Sequence, residues 1–147
     1  MYVPQQAYDL ARTFEGLRLE PYRDAAGYWT VGYGHLLSRD RSDAHYQTVT
    51  EAEAEALLTI NLAKAATAVN RLCPVPLTDG QFAALIDFAF NLGAGNLQGS
   101  TLRQMVNRGD MVDAGAQFGK WVYAGGVKLS GLVRRRRAEA ALFASDL

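Results

Sequence analysis

Two acidic residues near the N-terminus, Glu15 and Asp24, have side chains that could carry out hydrolysis together. They lie nine positions apart, and Thr30 follows Asp24 by six positions. Cleaving a glycosidic bond requires one carboxyl group that protonates the leaving oxygen, and a second carboxylate that activates water or stabilises developing positive charge. The same residues could equally be a charge at a helix end and a turn former. Their spacing alone does not separate the two interpretations.

The elements predicted around these residues differ in kind. Apolar residues at helical spacing predict a first helix over residues 5–15. Glycines and a proline interrupt residues 16–37, and residues 28–31 have strand composition, so we expect a small antiparallel sheet there. Asp24 is expected to open a turn into this sheet. A helix end, a turn and a strand can place three polar groups around one site.

The remainder of the chain predicts helices. Thr50 and Glu53 fit a capping box that begins the longest helix, over about residues 50–72, and Thr78 and Gln81 fit a second. Ser100 and Asp110 are expected to cap two short helices, and a final helix is expected over about residues 132–143. The fold class is therefore predicted to be α+β, with a single domain over residues 1–147. Its small N-terminal lobe (about 13–50), connecting helix (about 50–72) and helical C-terminal lobe (about 70–147) would leave a cleft between the lobes.

Composition narrows the class of protein without naming a partner. The chain has 147 residues, 49% of them hydrophobic, and its formal net charge is zero, which favours an ordinary folded domain. Cys73 is the only cysteine, so no intramolecular disulfide is expected. We find no export segment and no apolar run approaching the roughly 20 residues of a spanning helix. These features predict a protein that does not insert into a membrane, and we expect it to be a monomer.

A dense pattern surrounds Glu15, Asp24 and Thr30. Residues 15–24 read EGLRLEPYRD and residues 27–35 read GYWTVGYGH. This segment closely resembles the signature of the T4-type phage lysozymes, Glu-Gly-Leu-x-Leu-x-x-Tyr-x-Asp followed by Gly-x-x-Thr-x-Gly-x-Gly-His. The similarity continues through FNLG at 90–93, STLR at 100–103 and a lambdoid-phage-like stretch over residues 123–135. Nearly the whole chain is covered, so the resemblance implies a lysozyme-like fold.

The resemblance also implies roles for particular residues. Glu15 would be the general acid, while Asp24 and Thr30 would position the attacking water. The reaction would be hydrolysis of the β-1,4 bond between N-acetylmuramic acid and N-acetylglucosamine in bacterial peptidoglycan, with inversion. Substrate-binding residues are expected at three further positions: Leu36, Phe90 and Ser100. Core packing is the alternative for the first two, and a helix N-cap is the alternative for the third.

Two other functions remain open at this stage. A lytic transglycosylase manages with a single acidic residue and forms an anhydro product, and the presence of both Asp24 and Thr30 argues against it. An inactive, glycan-binding relative would be expected if one of Glu15, Asp24 and Thr30 were replaced, but all three residues are present.

As a phage enzyme, the protein would remain in the host cytoplasm until it is released to the cell wall.

Metal, cofactor and nucleic-acid functions are not expected. His35, His45 and Cys73 are far apart and lack a recognisable zinc spacing, which argues against a zinc amidase. We expect His35 to play a structural, hydrogen-bonding role. The four consecutive arginines at 134–137 would point around a helix, so they cannot all face a nucleic acid. At least one is expected to face a carboxylate of the protein, and the others would be solvated or attract the anionic wall.

Overall fold

The computed structural model describes residues 1–40 and 47–146. The elements follow one another in this order: α1 (Gln5–Glu15), β1 (Arg18–Arg23), β2 (Trp29–Gly32), β3 (His35–Leu36), α2 (Glu51–Leu72), α3 (Asp79–Leu92), α4 (Ala94–Gln98), α5 (Thr101–Asn107), α6 (Met111–Gln117), a 3-10 turn (Phe118–Lys120), β4 (Tyr123–Ala124), β5 (Val127–Lys128) and α7 (Ser130–Ala144). No helix in these two ranges has the length and apolar character needed to cross a membrane.

The chain divides into two compact units. One, the sheet unit, comprises Ala11–Asn61, and the other, the helical unit, comprises Met1–Leu10 together with Leu62–Leu147. The boundaries between them fall inside α1 and α2. The predicted single domain, with its lobe limits and cleft, stays a prediction.

The sheet unit contains a three-stranded antiparallel sheet in the order β1-β2-β3. Thr30 in the central strand lies opposite Tyr22 of β1 and opposite Leu36 of β3. Directly opposed residues project from the same face of a sheet, so these three side chains share one face. Val31 projects from the other face and packs in a core with Val49 and Ala54. Alternation along β2 therefore separates a core face from a face that carries Thr30.

The predicted starts of α2 and α3 are confirmed by side-chain capping boxes. Thr50 Oγ1 accepts from the N–H of Glu53 at 3.1 Å, and Glu53 Oε1 accepts from the N–H of Thr50 at 3.1 Å. The same reciprocal pair joins Thr78 and Gln81 at the start of α3. Each box satisfies two backbone donors that would otherwise lack a partner. These local signals fix where α2 and α3 begin.

The helical unit is built around α3, most of which is buried. Its Phe88 ring makes edge-on contacts with Phe118 and Trp121, with centroids 5.8 and 5.4 Å apart. Phe118 continues the cluster to Phe143 of α7. Gly80 permits the close approach of α3 and α7, because a Cβ there would lie 2.6 Å from the carbonyl oxygen of Leu142.

Three details differ from the sequence expectations. Asp110 stands at the N-terminus of α6 without making a side-chain cap. Helix α7 begins at Ser130, two residues earlier than expected, with Leu129 in the cap position. The segment expected only as a loop at Gly125-Gly126 is the turn of the β4–β5 hairpin. Short strands of two residues carry too little alternation to be recognised in a sequence.

Candidate active site

Glu15 is the last residue of α1, and the local sequence explains why the helix ends there. Gly16 adopts a left-handed backbone with φ of 68°, and its N–H donates to the carbonyl oxygen of Arg12 at 3.2 Å. Glycine takes this conformation without the steric cost that a Cβ would impose. The carboxyl group of Glu15 is thus carried on the final turn of a helix, at a half-buried position.

The backbone of Gly34 lies directly against the Glu15 carboxyl group. Gly34 has φ of 71° in the turn between β2 and β3. A Cβ built on it would lie 2.6 Å from Oε2 of Glu15 and 2.9 Å from its Cδ. Only a glycine leaves room for the carboxyl group in this position, so the second glycine of the GYGH segment has a steric task at the site.

An ion pair joins the last turn of α1 to α2. Arg12 binds Glu55 with both ends of its guanidinium, Nε to Oε1 at 2.9 Å and Nη2 to Oε2 at 2.7 Å. The hydrogen bond from Arg12 holds the pKa of Glu55 below its usual value, and a hydrogen bond with Tyr33 acts in the same direction. Arg12 precedes Glu15 by one turn and Tyr33 precedes Gly34. The pair therefore connects the two segments that meet at the Glu15 carboxyl group.

Asp24 closes the turn between β1 and β2. Its Oδ1 accepts hydrogen bonds from the N–H groups of Ala26 and Tyr28, each at 2.9 Å. Its own N–H donates to the carbonyl oxygen of Tyr28 at 2.9 Å. This is an Asx turn, in which the aspartate side chain replaces a backbone acceptor. Within residues 1–40 and 47–146 these bonds use only Oδ1, which leaves Oδ2 for another partner.

Thr30 is nearly fully buried in the central strand, with 4% of its surface exposed. Its Oγ1 donates to the carbonyl oxygen of Tyr28 at 3.0 Å. Because a hydroxyl has one donor and two acceptor positions, this bond still leaves Oγ1 able to accept. Tyr28 also donates its N–H to Asp24, so one residue connects the two predicted water-positioning side chains.

Tyr22 relates the two carboxylates to each other. Burial raises the pKa of the Tyr22 hydroxyl, and the negative charges of Glu15 and Asp24 raise it further, while Arg18 lowers it. The guanidinium of Arg18 lies 4.6 Å from the centre of the Tyr22 ring. One phenol therefore senses both acidic residues, which places Glu15 and Asp24 in a common electrostatic environment. Thr30 lies directly opposite this tyrosine in the sheet.

Of the predicted substrate-binding residues, Leu36 shares the sheet face with Thr30, where it is half-buried. Phe90 and Ser100 belong to the helical unit. Phe90 is half-buried on α3, with the guanidinium of Arg135 5.9 Å from its ring centre. Ser100 Oγ accepts from the N–H of Arg103 and donates to the carbonyl oxygen of Leu97, as a helix N-cap does. The substrate-binding roles stay predictions.

His35 makes a hydrogen bond within the protein, as expected. Its Nδ1 lies 2.9 Å from Nδ2 of Asn61 on α2. Across residues 1–40 and 47–146, no cluster of three or more His, Cys, Asp or Glu side chains is arranged to hold a metal ion. His45 lies outside the described residues. The expectation that the protein uses no metal or other cofactor stays a prediction.

Two of the four consecutive arginines face buried carboxylates in the helical unit. Arg135 binds Asp87 with two hydrogen bonds of 2.8 Å, and Arg136 Nη2 donates to Glu139 at 2.9 Å. Burial raises the pKa of Glu139 well above its usual value, and Asp87, through a hydrogen bond and its charge, acts in the same direction. The expectation that at least one arginine turns inward is confirmed, and the structure identifies which ones.

Comparison with known proteins decides the family. The family model described as Phage lysozyme matches residues 12–139, which is most of the chain. The chain belongs to the phage lysozyme family. This membership confirms the resemblance predicted from residues 15–37, and with it the class of lysozyme-type glycoside hydrolases.

Relatives and solved structures agree with this lysozyme assignment. An endolysin of Acyrthosiphon pisum secondary endosymbiont phage 1 is 38% identical over 149 residues, covering 99% of both chains. An endolysin of Bacillus phage B103 is 40% identical over 97% of this chain, which spans only 54% of that relative. The muramidase domain of SpmX from Asticaccaulis excentricus has a TM-score of 0.85 and 34% identity, with 97% of each chain covered. The predicted lysozyme-like α+β fold is confirmed.

Part of the candidate site could not be recognised in the sequence. The Arg12–Glu55 pair connects residues 43 positions apart, and no periodic signal indicates that they meet. The sequence indicates Gly34 only as one of the glycines that interrupt residues 16–37, and gives no sign of its contact with Glu15. The one available signal is that Arg12 stands one helical turn before Glu15, where a positioning residue could act on it.

Proposed function

We propose that the protein is an endolysin that hydrolyses the β-1,4 bonds between N-acetylmuramic acid and N-acetylglucosamine in bacterial peptidoglycan, with Glu15, Asp24 and Thr30 as its working residues. The observation that supports this most is the arrangement around Tyr22, which lies opposite Thr30 in the sheet and whose pKa is raised by burial and by the charges of Glu15 and Asp24. Family membership supports the reaction class, and the signature over residues 15–35 supports these three residues, with which the arrangement around Tyr22 agrees.

Glu15 acts as the general acid in this proposal. The turn at Gly34 packs against its carboxyl group and limits the positions that the group can adopt. A carboxyl group with fewer accessible positions loses less entropy when it delivers its proton to the leaving oxygen. The nucleophile is then supplied by the other two residues, Asp24 and Thr30.

Asp24 and Thr30 position the attacking water. Asp24 is held by two backbone N–H groups on Oδ1, so that Oδ2 is oriented and available to accept from water. Thr30 Oγ1 is oriented by its bond to Tyr28 and retains acceptor capacity. A rigid acceptor pair of this kind aligns one water molecule without a further metal ion or covalent intermediate. This favours direct displacement with inversion over a retaining route.

The chain's partners follow from this reaction. Peptidoglycan strands are the substrate, and Leu36, Phe90 and Ser100 are proposed to contact the glycan. The protein is proposed to work as a monomer, without nucleic acid and without inserting into a membrane, after it is released from the host cytoplasm to the cell wall.

A lytic transglycosylase is the competing enzyme. It uses the substrate's own hydroxyl as the nucleophile and has no need for a water-positioning pair. The two held acceptors at Asp24 and Thr30 therefore favour hydrolysis.

Product analysis tests the proposal. Purified peptidoglycan is digested and the released muropeptides are analysed by mass, where reducing ends indicate hydrolysis and anhydro ends indicate transglycosylation. Nuclear magnetic resonance at early times then reports the anomer that forms first. We expect reducing ends and the α-anomer. Anhydro ends would exclude the hydrolytic assignment, and an initial β-anomer would exclude direct displacement by water held at Asp24 and Thr30.

A further inference from the structure

The C-terminal third of the chain contains a stretch that has basic residues and no acidic ones. Between Asp113 and Glu139 there are six basic residues and no aspartate or glutamate: Lys120, Lys128, Arg134, Arg135, Arg136 and Arg137. The stretch covers the β4–β5 hairpin and the first half of α7. The zero net charge of the whole chain conceals this local excess.

Helix α7 sorts its four arginines into two pairs. Arg135 and Arg136 are buried and bind Asp87 and Glu139. Arg134 and Arg137 are exposed, and they stand three positions apart, so they lie on one side of the helix. The buried pair is bound to partners inside the protein, whereas the exposed pair keeps its full charge at the surface.

The exposed pair lines a shallow cavity together with the hairpin. This cavity has a volume of about 340 Å³ and is lined by Lys128, Ser130, Val133, Arg134 and Arg137. Its three basic side chains have no hydrogen bond or ion pair with any residue in 1–40 or 47–146. Three like charges around one concavity repel one another unless an anion lies between them. Ser130 adds a hydroxyl donor at the first turn of α7.

We propose that this cavity is a binding site for an oxyanion, carboxylate or phosphate, carried by a polymer of the bacterial wall. The two guanidinium groups supply planar, two-pronged donors that match either oxyanion, and Lys128 adds a point charge. Tyr123, Val127 and Leu129 of the adjacent hairpin are exposed, and they offer apolar surface beside the charges. The site would hold the enzyme on an anionic surface independently of Glu15.

The proposal that a wall polymer carries the oxyanion rests on the proposed function, whereas the oxyanion chemistry rests on the cavity alone. A polyanion that contacts three cations releases counterions when it binds, so its affinity falls steeply as salt rises. A surface cavity with this charge is expected to increase the time spent on the wall and to leave the chemistry at Glu15 unchanged.

The test measures how much of the intact protein sediments with purified walls at low temperature. The variant is Arg134→Gln with Arg137→Gln, and the matched control is Lys64→Gln with Arg71→Gln, which removes the same charge from exposed positions of α2. We expect the cavity variant to bind about tenfold more weakly at low salt, and the control to stay within about twofold, because exposed charges away from the bound anion are largely screened. Equal weakening in both variants would overturn the proposal.

Two further arms identify the oxyanion and separate this site from the active site. The binding is repeated on walls stripped of phosphate polymers. If the parent still binds more tightly than the cavity variant, the ligand is a stem-peptide carboxylate, and if this difference vanishes, the ligand is phosphate. Either outcome supports an oxyanion site. Cleavage of a short, soluble glycan of N-acetylglucosamine and N-acetylmuramic acid, with its lactyl carboxyl groups capped as amides, should be unchanged in the cavity variant. A parallel loss of this cleavage would mean that the substitutions act on the active site and would overturn the proposal, whereas a failure of Glu15→Gln to reduce activity would affect only the proposed catalytic roles.

Discussion

The carboxyl group of Glu15 packs directly against the backbone of Gly34, which leaves no room for a side chain on Gly34. A Cβ on Gly34 would lie 2.6 Å from Oε2 and 2.9 Å from Cδ of Glu15. Real Cβ atoms do not approach other heavy atoms at such distances. The turn between β2 and β3 therefore limits the positions that the carboxyl group at the end of α1 can adopt.

We predict that Gly34→Ala abolishes most of the activity. The added methyl group would displace the Glu15 carboxyl group, and a misplaced reacting group commonly costs about 100-fold in rate. The backbone at φ of 71° would also be strained, at about 1–2 kcal/mol of unfolding free energy. Wall-clearing rate and thermal unfolding measure the two effects.

Gly109→Ala separates the strain from the clash. Gly109 has φ of 79°, and a Cβ there would meet nothing within 4 Å. We expect a similar loss of stability with activity retained. If both substitutions lower activity equally, backbone strain alone explains the result and the contact between Gly34 and Glu15 has no special role.

Thr30 offers a second test, because its hydroxyl can be removed without changing its shape. Thr30→Val keeps the buried volume and removes one of the two hydrogen bonds to the carbonyl oxygen of Tyr28, which still accepts from the N–H of Asp24, so we expect a loss of stability of about 1 kcal/mol. It also removes the acceptor for water, so we expect kcat to fall by about 100-fold. Thr30→Ser retains the hydroxyl and should stay within about tenfold of the parent. A fully active Thr30→Val would show that the hydroxyl does not position the nucleophile.

The Arg12–Glu55 pair should stabilise the fold modestly, with a defined pH dependence. The pKa of Glu55 is lower in the folded state, mainly because of its hydrogen bond with Arg12. The stabilisation is therefore present above the ordinary carboxyl pKa and is lost as the pH falls through the lowered value. Both side chains are partly exposed, at 34% and 41%, so solvent screening limits the contribution to about 0.5 kcal/mol. Denaturant unfolding of the parent and Glu55→Gln, compared from neutral to acidic pH, should show their difference shrinking; a widening difference would contradict the assignment.

Glu139 should show the opposite pH dependence. Its pKa is raised in the folded state by burial and by Asp87, so the folded protein binds a proton that the unfolded chain releases. This stabilisation is complete below the ordinary value of 4.5 and is lost as the pH rises through the raised value. Glu139→Gln keeps a neutral donor and removes the titration. The unfolding free energy of the parent should therefore decline relative to this variant as the pH rises, and a constant difference would show that Glu139 is already ionised.

Asp87→Asn tests the buried pair directly. Asp87 is fully buried and Arg135 is 4% exposed. Burial acts to raise the pKa of Asp87, but hydrogen bonds from Arg135 and Glu139 outweigh it and hold that pKa below its usual value. Removing the carboxylate leaves a buried guanidinium uncompensated, which costs about 3–5 kcal/mol. Arg137→Gln, at an exposed position of the same helix, is the control and should change stability by less than about 0.5 kcal/mol.

Features encoded over a few residues could be predicted from the sequence. The capping boxes at Thr50 and Thr78 depend on partners three positions away, and both are present. The end of α1 at Glu15 depends on Gly16, its immediate neighbour. The family signature adds Asp24 and Thr30, whose spacing reflects a turn and a strand. Short-range physics determines each of these features, so a linear pattern can represent it.

Features that depend on the tertiary arrangement could not be predicted. The sequence indicates that an arginine among residues 134–137 turns inward, but the partner of Arg135 lies 48 positions away. The same applies to Arg12 and Glu55. The contact between Gly34 and Glu15 requires the turn to meet the helix end, which no periodicity encodes. Partner identity is a property of packing, and the sequence supplies only the candidates.

The most direct test of the account is the wall-clearing rate of Glu15→Gln, measured beside its thermal unfolding. This variant keeps the shape of the side chain beside Gly34 and removes its proton. We predict a loss of activity of about 100-fold or more with little change in unfolding temperature, because a general acid contributes to the rate and not to the fold. Clearance at the parent rate by a folded Glu15→Gln protein would contradict the assignment of Glu15 as the catalytic acid.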